Sequence, residues 1–361
     1  MLYLGIDLHS KQLTVSCRNE SGDEVLRRQV STRPQAVDQF LSQISGLAAA
    51  DGGWVAILEV CGFSDWLVDR LQTSDCRDVL LVQPTERARQ KTDRRDAAKL
   101  SSALWVNRLR LLAGRHVQGL RRVAIATPQE RADRQLTALR REAGQWRTQI
   151  VNRIRHLLAR RNLSHQFPTR SLRTIRGRRW LRELQLEPLD RMELDQALEQ
   201  LQVCETQWEQ LAEQIRRRHN ASDRSMILGS IPGCGAFTAL AIAARIGDVR
   251  RFPAPRSLAN YFGLVPRCRN SGENTQRLGS ITKQGSPLVR FLLGQLVLHV
   301  LRRDAHMRAW YKKLKSRRGS KIARVAVMRR LATIIWHMLS KGEAYQPGGP
   351  PRRRLTMTSK C

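Results

Sequence analysis

Residues 2–30 read LYLGIDLHSKQLTVSCRNESGDEVLRRQV, and this stretch determines the first layer of the fold. It contains three runs rich in apolar and β-branched residues. These runs span residues 2–8, 12–18 and 24–30. The polar turn His9-Ser10-Lys11 separates the first two runs, and a polar cluster ending in Gly22 separates the last two. Short polar loops of this kind join antiparallel strands, so the stretch predicts a three-stranded meander.

Helices and strands alternate after the meander. Apolar periodicity predicts helices at residues 33–44, 64–71 and 93–112, and buried strands at residues 54–60 and 78–82. The resulting order, βββαβαβα, predicts a mixed sheet with helices on its faces. The first part of the chain is therefore expected to be an α/β domain.

The charge balance indicates a polyanionic partner. The 361 residues include 64 Lys and Arg against 31 Asp and Glu, which gives a formal net charge of +33. An apolar fraction of 41% is enough for buried cores in two or three domains, so a disordered polycation of the histone-tail class is excluded. Binding to nucleic acid relieves the self-repulsion by releasing condensed counterions. A merely supercharged surface is the alternative, but the basic residues are grouped, which favours nucleic acid.

Neither a membrane span nor a secreted fold is predicted. No run approaches the roughly 18 consecutive apolar residues that cross a bilayer, and the only early apolar run contains Asp7. The seven cysteines form no Cys-x-x-Cys pair and have no nearby His at zinc spacing. These features predict reduced core thiols in a cytosolic protein.

The middle of the chain predicts two long helices. Thr127-Pro128-Gln129-Glu130 combines an N-cap residue, a first-turn proline and a capping-box Glu. Apolar residues then recur at steps of three and four from 136 to 157 and from 194 to 215. An arginine-rich segment that includes Arg176, Arg178 and Arg179 lies between them. The simplest interpretation is an antiparallel helical hairpin with a basic tip. Two ordinary amphipathic helices packed on a core are the alternative.

The part from residue 221 onward predicts a compact, mostly helical domain. Residues 225–228, 231–235 and 236–246 are typical of a helix, a glycine-containing turn and a second helix. Main-chain N–H groups at Gly233 and Gly235 could approach a phosphate there, as in helix-hairpin-helix motifs, although any helical hairpin can use glycine in its turn. Ser286-Pro287 predicts the start of another helix.

Residues 312–330 hold nine Lys or Arg and no acid. Such a segment is either a solvated helix face or, as we favour in a chain of this charge, a surface that contacts phosphates. Five residues of this segment are predicted to contact nucleic acid: Lys312, Lys313, Lys315, Arg317 and Arg318. Lys283, which precedes the segment, is predicted to contact nucleic acid as well. The basic tail, 346–361, is predicted to be disordered.

Four carboxylates occupy unusual positions for so basic a chain. Asp7 ends an apolar strand and Glu59 lies near the end of another, while Asp93 and Asp96 share one face of a predicted helix. Carboxylates gathered at short range repel one another unless cations neutralise them, and Mg²⁺ or Mn²⁺ suits an oxygen-rich site. Two such ions would polarise a phosphodiester. Taken singly, each acid has an ordinary alternative as a helix cap or an ion-pair partner.

Several segments resemble, in order and spacing, the DEDD signature of the IS110 family of insertion-sequence transposases. The three acid-bearing segments are Gly5-Ile6-Asp7-Leu8-His9-Ser10-Lys11, Leu58-Glu59-Val60-Cys61-Gly62 and Lys91-Thr92-Asp93-Arg94-Arg95-Asp96-Ala97. Matching segments of the C-terminal half are 231–235, 263–266, Ser271-Gly272 and 279–285, followed by Leu288 and Arg290. The sequence departs from the family at His9-Ser10 and Cys61, none of which is a proposed ligand. This family is related to the Piv/MooV invertases, and its members are described as bridge-RNA-guided recombinases.

The resemblance implies an α/β plus α organisation. Its parts are an RNase H/RuvC-like domain at 1–125, a coiled-coil linker at 126–220, a mostly α C-terminal transposase domain at 221–345 and the tail at 346–361. It assigns Asp7, Glu59, Asp93 and Asp96 to Mg²⁺ binding, and Ser271 to nucleophilic attack on DNA. A serine hydroxyl needs a base or a metal-polarised target to react at neutral pH. The family also implies a homo-oligomer, a dimer or tetramer, in which acids and serine from different subunits form composite active sites.

The sequence is therefore interpreted as that of a DNA transposase or recombinase of the prokaryotic cytoplasm, associated with the nucleoid when active. It is expected to join element ends and target DNA through a serine–DNA ester, with Mg²⁺ and a guide (bridge) RNA. One alternative is a RuvC-like nuclease or resolvase that uses water as the nucleophile. The other is a non-catalytic nucleic-acid-binding protein.

Overall fold

The computed structural model describes residues 1–84, 93–117, 119–268 and 278–347, without the side chains of residues 84, 93–95, 268 and 278. The chain forms two compact units, Met1–Ile125 and Ala126–Cys361. Each unit has its own hydrophobic core. No helix in the described ranges is long and apolar enough to cross a membrane.

The first unit is built on a six-stranded mixed sheet. Its strands are β1 (Leu2–Leu8), β2 (Gln12–Arg18), β3 (Glu24–Ser31), β4 (Trp54–Glu59), β5 (Cys76–Pro84) and β6 (Leu120–Arg122). They lie in the order β3-β2-β1-β4-β5-β6. The first three strands form an antiparallel meander, β1, β4 and β5 are parallel neighbours, and β6 is antiparallel to β5. The predicted meander and mixed α/β sheet are confirmed.

Helices cover both faces of this sheet. They are α1 (Pro34–Ala48), α2 (Asp65–Thr73), α3 (Asp93–Val106) and α4 (Arg108–Leu112). One face buries alternate residues such as Leu4 and Ile6 against α1 and α2. The opposite face buries Ile57 and its neighbours against Leu100 and Leu104 of α3. This alternation, with both faces covered, is why the central strands read as nearly continuous apolar runs.

Two details of the first unit differ from the prediction. The helix predicted over 93–112 is interrupted at Asn107, which leaves the helical conformation with φ of −107° and ψ of 14°, while its side-chain amide donates to the carbonyl oxygen of Ala103 at 3.0 Å. Strand β6 was not predicted, because its three residues, Leu120-Arg121-Arg122, carry no apolar alternation.

The second unit begins with two long antiparallel helices, α5 (Pro128–Arg160) and α7 (Pro188–Asn220), joined through the short helix α6 (Ile175–Glu183). Arg218, near the end of α7, pairs with Asp133, near the start of α5. Arg160, at the end of α5, pairs with Asp190, near the start of α7. The helix start predicted from Thr127 is confirmed. The hydroxyl of Thr127 accepts from the N–H of Glu130, and the Glu130 carboxylate accepts from the N–H of Thr127, both at 3.2 Å.

The remainder of the second unit is mostly helical, as predicted. Its elements are α8 (Asp223–Gly229), α9 (Ala236–Ile246), α10 (Pro255–Tyr261), β7 (Pro266–Cys268), β8 (Leu278–Ile281), α11 (Pro287–Arg303), α12 (Ala305–Arg318) and α13 (Ser320–Lys341). Ser286 caps α11 through the N–H of Val289, at 3.4 Å. The basic segment 312–330 is not one helix, because Gly319, with φ of 80°, separates α12 from α13. The tail from residue 348 lies outside the described residues.

Candidate functional site

Two of the predicted acids lie at the ends of adjacent parallel strands. Ile6 of β1 is paired with Leu58 of β4, so Asp7 and Glu59 each follow one residue later on neighbouring strands. Such strands lie about 4.8 Å apart. Because side chains alternate between faces, Asp7 shares the face of Tyr3, and Glu59 shares the face of Ile57; both are on the face covered by α3. The sheet therefore places these two carboxylates at one edge and on one face.

Helix α3 brings a third acid toward the same edge. A Cβ atom at Gly5 would collide with the main chain of Ala97 and Ser101, so the helix rests directly on β1. The Ser101 hydroxyl bonds to that of Ser16 at 2.8 Å, and further along α3 the indole of Trp105 donates to the carbonyl oxygen of Glu20 at 3.0 Å. Since Ser16 lies opposite Gly5, and Glu20 lies beyond the start of β1, α3 runs antiparallel to β1. Its first turn, with Asp96, points toward the end of β1 that carries Asp7.

The fourth acid, Asp93, is the first residue of α3, and its carboxylate lies outside the described side chains. Within the described residues, no group of three or more His, Cys, Asp or Glu side chains is placed to hold a metal ion. The Asp93 carboxylate is not among these side chains. The four-acid site therefore stays a prediction, for which the sheet and α3 provide the converging elements.

The described acids differ in their contacts. The Asp7 carboxylate, 18% exposed, lies 3.0 Å from Nε2 of His9, and Lys99 Nζ lies 3.4 Å from the Asp96 carboxylate. The half-buried Glu59 carboxylate has no ion pair or hydrogen bond within the described chain. Carboxylate oxygens are hard donors, and such donors fit Mg²⁺ or Mn²⁺. The contact of His9 with Asp7 was not predicted, because the sequence marks His9 only as a turn residue.

Ser271 falls in the segment between β7 and β8 and lies outside the described residues. The ends of that segment are held side by side, because β7 and β8 are antiparallel partners. Just beyond β8, the N–H of Lys283 donates to the carbonyl oxygen of Gly263 at 3.1 Å, with Lys283 in the left-handed region at φ of 57°. The guanidinium of Arg290 donates to the carbonyl oxygens of Gln284 at 2.6 Å and Gly285 at 3.1 Å. Burial lowers the pKa of Arg290.

The glycine turn between α8 and α9 contains two different environments. Gly233 has φ of 81°, and a Cβ there would collide with the side chain of His299. Gly235 is the N-cap of α9, and a Cβ there would meet nothing within 4 Å. Packing therefore explains Gly233, whereas Gly235 has the open space that a phosphate would require.

The basic tip of the long helices is partly neutralised. Arg178, together with Arg173, pairs with the carboxylate of Glu205, which is only 8% exposed. Arg179 pairs with the exposed Glu183 at 2.8 Å, and Arg176 is exposed. By contrast, five exposed cations at the end of α12 have no ion pair in the described part of the chain. These are Lys312, Lys313, Lys315, Arg317 and Arg318.

Two protein-family models match this chain. The model described as "Transposase IS116/IS110/IS902 family" matches residues 225–312. A model of DEDD transposases of the IS110 group, described as "Transposase", matches residues 4–162. The second match contains Asp7, Glu59, Asp93 and Asp96, and the first contains Ser271.

Relatives of nearly full length carry related names. The chain is 27% identical over 368 residues to the transposase for insertion sequence element IS1111A of Coxiella burnetii, covering 96% of this chain and 91% of that protein. It is also 27% identical over 361 residues to a Pseudomonas aeruginosa protein named "Probable family 20 transposase", covering 96% and 98%. The pilin gene-inverting protein of Moraxella bovis is 28% identical over 124 residues, 34% of this chain and 38% of that protein.

Proposed function

The chain belongs to the IS116/IS110/IS902 family of transposases, and from that premise we propose that it cleaves and rejoins DNA strands through a covalent ester between DNA and Ser271. DNA transposition is the activity that the family name gives. The serine ester, Mg²⁺ dependence and RNA guidance are the finer parts of this proposal. The RNase H/RuvC-like description of the first unit and the coiled-coil description of α5 and α7 belong to it as well.

One observation carries the proposal. Asp7 and Glu59 leave adjacent parallel strands on the face toward which α3 directs its first turn, with Asp96. Four carboxylates at such an edge would hold Mg²⁺ or Mn²⁺, and a bound ion would polarise a phosphodiester. The hydrogen bond from His9 would fix the orientation of the Asp7 carboxylate.

The protein itself would supply the nucleophile. The hydroxyl of Ser271 gives up its proton as Oγ attacks the phosphorus of one strand. The new Oγ–P bond forms, the P–O bond to the leaving strand end breaks, and that oxygen keeps the bonding electrons and takes up a proton. Because the phosphoserine ester replaces one phosphodiester with another, a second strand end can attack it and restore the backbone without ATP. The paired strands β7 and β8 would present the serine segment to DNA.

The basic surfaces fit the nucleic-acid partners. The five exposed cations at the end of α12, with Arg176, Arg179 and Lys283, would contact the phosphates of DNA and of a guide RNA. Backbone contacts supply affinity, while base pairing with the guide would supply sequence choice. A homodimer or tetramer would assemble composite sites, with acids and serine from different subunits.

The covalent adduct tests the nucleophile. Purified protein with its co-purifying RNA, Mg²⁺ and labelled duplexes carrying element ends should give a proteinase-sensitive band of reduced mobility. Ser271→Ala should abolish this band, while the matched Ser280→Ala, an exposed serine of β8, should keep it. Cleavage that persists in Ser271→Ala would favour the hydrolytic nuclease instead.

The same assay tests the acids. Asp96→Asn should stop strand exchange while RNA binding persists, because the loss of one carboxylate weakens cation binding without changing the basic surfaces. If the variant retained every activity, the acids would have no catalytic part and the non-catalytic alternative would stand.

A further inference from the structure

Asp7 and Glu59 define the acidic edge of the sheet, and a buried hydroxyl beside it has no hydrogen-bond partner among the described residues. Thr14 of β2 is 1% exposed, and its Oγ1 makes no hydrogen bond to any described residue. Burying an unpaired hydroxyl costs stability, so native proteins rarely keep one unless it has another use. The position of this one is therefore informative.

Thr14 lies directly opposite Asp7 in the antiparallel pairing of β1 and β2. Directly opposed residues project from the same face, with Cβ atoms about 4.5–5.5 Å apart. That face is the one covered by α3, because Ser16, two residues further along β2, bonds to Ser101 of α3. The Thr14 side chain is therefore the cross-strand neighbour of the Asp7 side chain at the acidic edge.

The same strand provides a contrast. The Ser16 hydroxyl donates to the carboxylate of Glu24 at 2.6 Å and also bonds to the hydroxyl of Ser101 at 2.8 Å. The two hydroxyls on this face of β2 therefore differ. The Ser16 hydroxyl, farther from Asp7, has hydrogen-bond partners, whereas the Thr14 hydroxyl, opposite Asp7, has none among the described residues. An orphan next to a predicted cation site points to a bond that forms only when the site is loaded.

We propose that Thr14 is a positioning residue of the acidic edge, whose hydroxyl donates a hydrogen bond to the Asp7 carboxylate when a divalent cation is bound there. This inference rests on the proposed function. Groups that hydrogen-bond a metal ligand fix its orientation, and their removal typically weakens metal binding about 10- to 100-fold. Thr14 would thus act on the cation through Asp7 rather than by touching it.

Two measurements on the full-length protein separate this role from a structural one. Thr14→Val keeps the shape of the side chain and removes the orphan hydroxyl, so its thermal midpoint in EDTA should equal or exceed that of the wild type. Its affinity for Mn²⁺, measured by calorimetry with the metal alone, should fall about tenfold. Thr14→Ser, which keeps the hydroxyl, should restore most of the affinity.

Ser16→Ala is the matched control. It removes a satisfied hydroxyl from the same face of the same strand, so it should lower the midpoint in EDTA and leave Mn²⁺ affinity unchanged. Wild-type affinity in Thr14→Val would overturn the role of Thr14 while leaving the acid site in place. A wild-type protein that binds no Mn²⁺ would instead overturn the acid site itself, and this inference with it.

Discussion

At the scale of single residues, the position of the Asp7 carboxylate depends on main-chain register. The pairing of Ile6 with Leu58 places Asp7 and Glu59 side by side, and a slip of one residue would turn Asp7 to the opposite face of the sheet. Strand register is fixed by the buried apolar residues on both faces. The acids therefore depend on the core for their arrangement more than on their own contacts.

The two turn glycines should respond differently to alanine. Gly233→Ala combines a strained positive φ with a collision against His299, so it should lower the free energy of unfolding by about 1–3 kcal/mol. Gly235→Ala adds a methyl group in open space, so stability should change by less than about 1 kcal/mol, while affinity for duplex DNA should fall if a phosphate approaches there.

Urea unfolding and DNA titration of the two variants provide the comparison. Unchanged DNA affinity in Gly235→Ala would assign the open space to the fold alone, and equal stability of the two variants would contradict the packing role of Gly233.

Some residues of the proposed site can be predicted from sequence and others cannot. Asp7 and Glu59 can be predicted, because an acid at the end of an apolar strand contradicts its surroundings. Thr14 cannot, because threonine is an ordinary strand residue and only the pairing of β1 with β2 places it opposite Asp7. His9 lies in a turn, and its bond to Asp7 depends on how that turn folds.

At the scale of elements, buried ion pairs fix the connection between α5 and α7. Glu205, 8% exposed, accepts from Arg173 on the connecting segment and Arg178 on α6. Arg178 is thus committed to the fold, which leaves Arg176 and Arg179 as the more available cations of the tip. A basic motif read from sequence cannot make this distinction, because the partner carboxylate is distant in the chain.

Glu205→Gln should lower the free energy of unfolding by about 1–3 kcal/mol. The loss is smaller than the 3–5 kcal/mol typical of a fully buried pair, because Arg173, 48% exposed, can regain water. Urea denaturation measures it. Glu183→Gln breaks an exposed pair with Arg179 and should change stability by less than about 1 kcal/mol. A loss in Glu183→Gln as large as that in Glu205→Gln would refute the role of burial.

Element boundaries were predictable where a local signal exists. The strands at 2–8 and 12–18 and the helix starts after Thr127 and Ser286 follow from alternation and caps. The interruption at Asn107 was missed, because the apolar periodicity continues across it from Leu104 to Leu111. Strand β6 owes its existence to the neighbouring β5 and not to its own sequence.

At the scale of the whole molecule, stability should depend on pH through two histidines, His219 and His337. Burial lowers the pKa of His219, and burial with the nearby Lys341 lowers the pKa of His337. In the unfolded chain both should titrate near 6.5. As pH falls through that value, the unfolded state binds protons that the folded state does not, so stability is lost on acidification.

The free energy of unfolding should therefore fall from pH 7.5 to pH 5.5, and the double variant His219→Gln, His337→Gln should fall less steeply. Urea titrations at three pH values test this. The carboxylates are common to both proteins, so the difference between the two slopes isolates the histidines. Parallel slopes would contradict the assignment.

The spatial relation between Ser271 and the four acids cannot be predicted from local sequence patterns. Ser271 follows Asp96 by 175 residues in the sequence. Hydrophobic periodicity and capping motifs report on neighbours within a turn or a strand. They contain no information on how such remote segments meet, which is why the serine was assigned by family resemblance alone.

Because Gly5 has no side chain, it allows the close packing on which the proposed acidic site depends. At Gly5, α3 lies directly against the main chain of β1, so there is no free space between the helix that carries Asp93 and Asp96 and the strand that carries Asp7. The methyl group of a Gly5→Ala substitution would push the helix away from the strand and widen the site in which a cation would bind. The proposed chemistry would therefore require a residue without a Cβ atom at position 5.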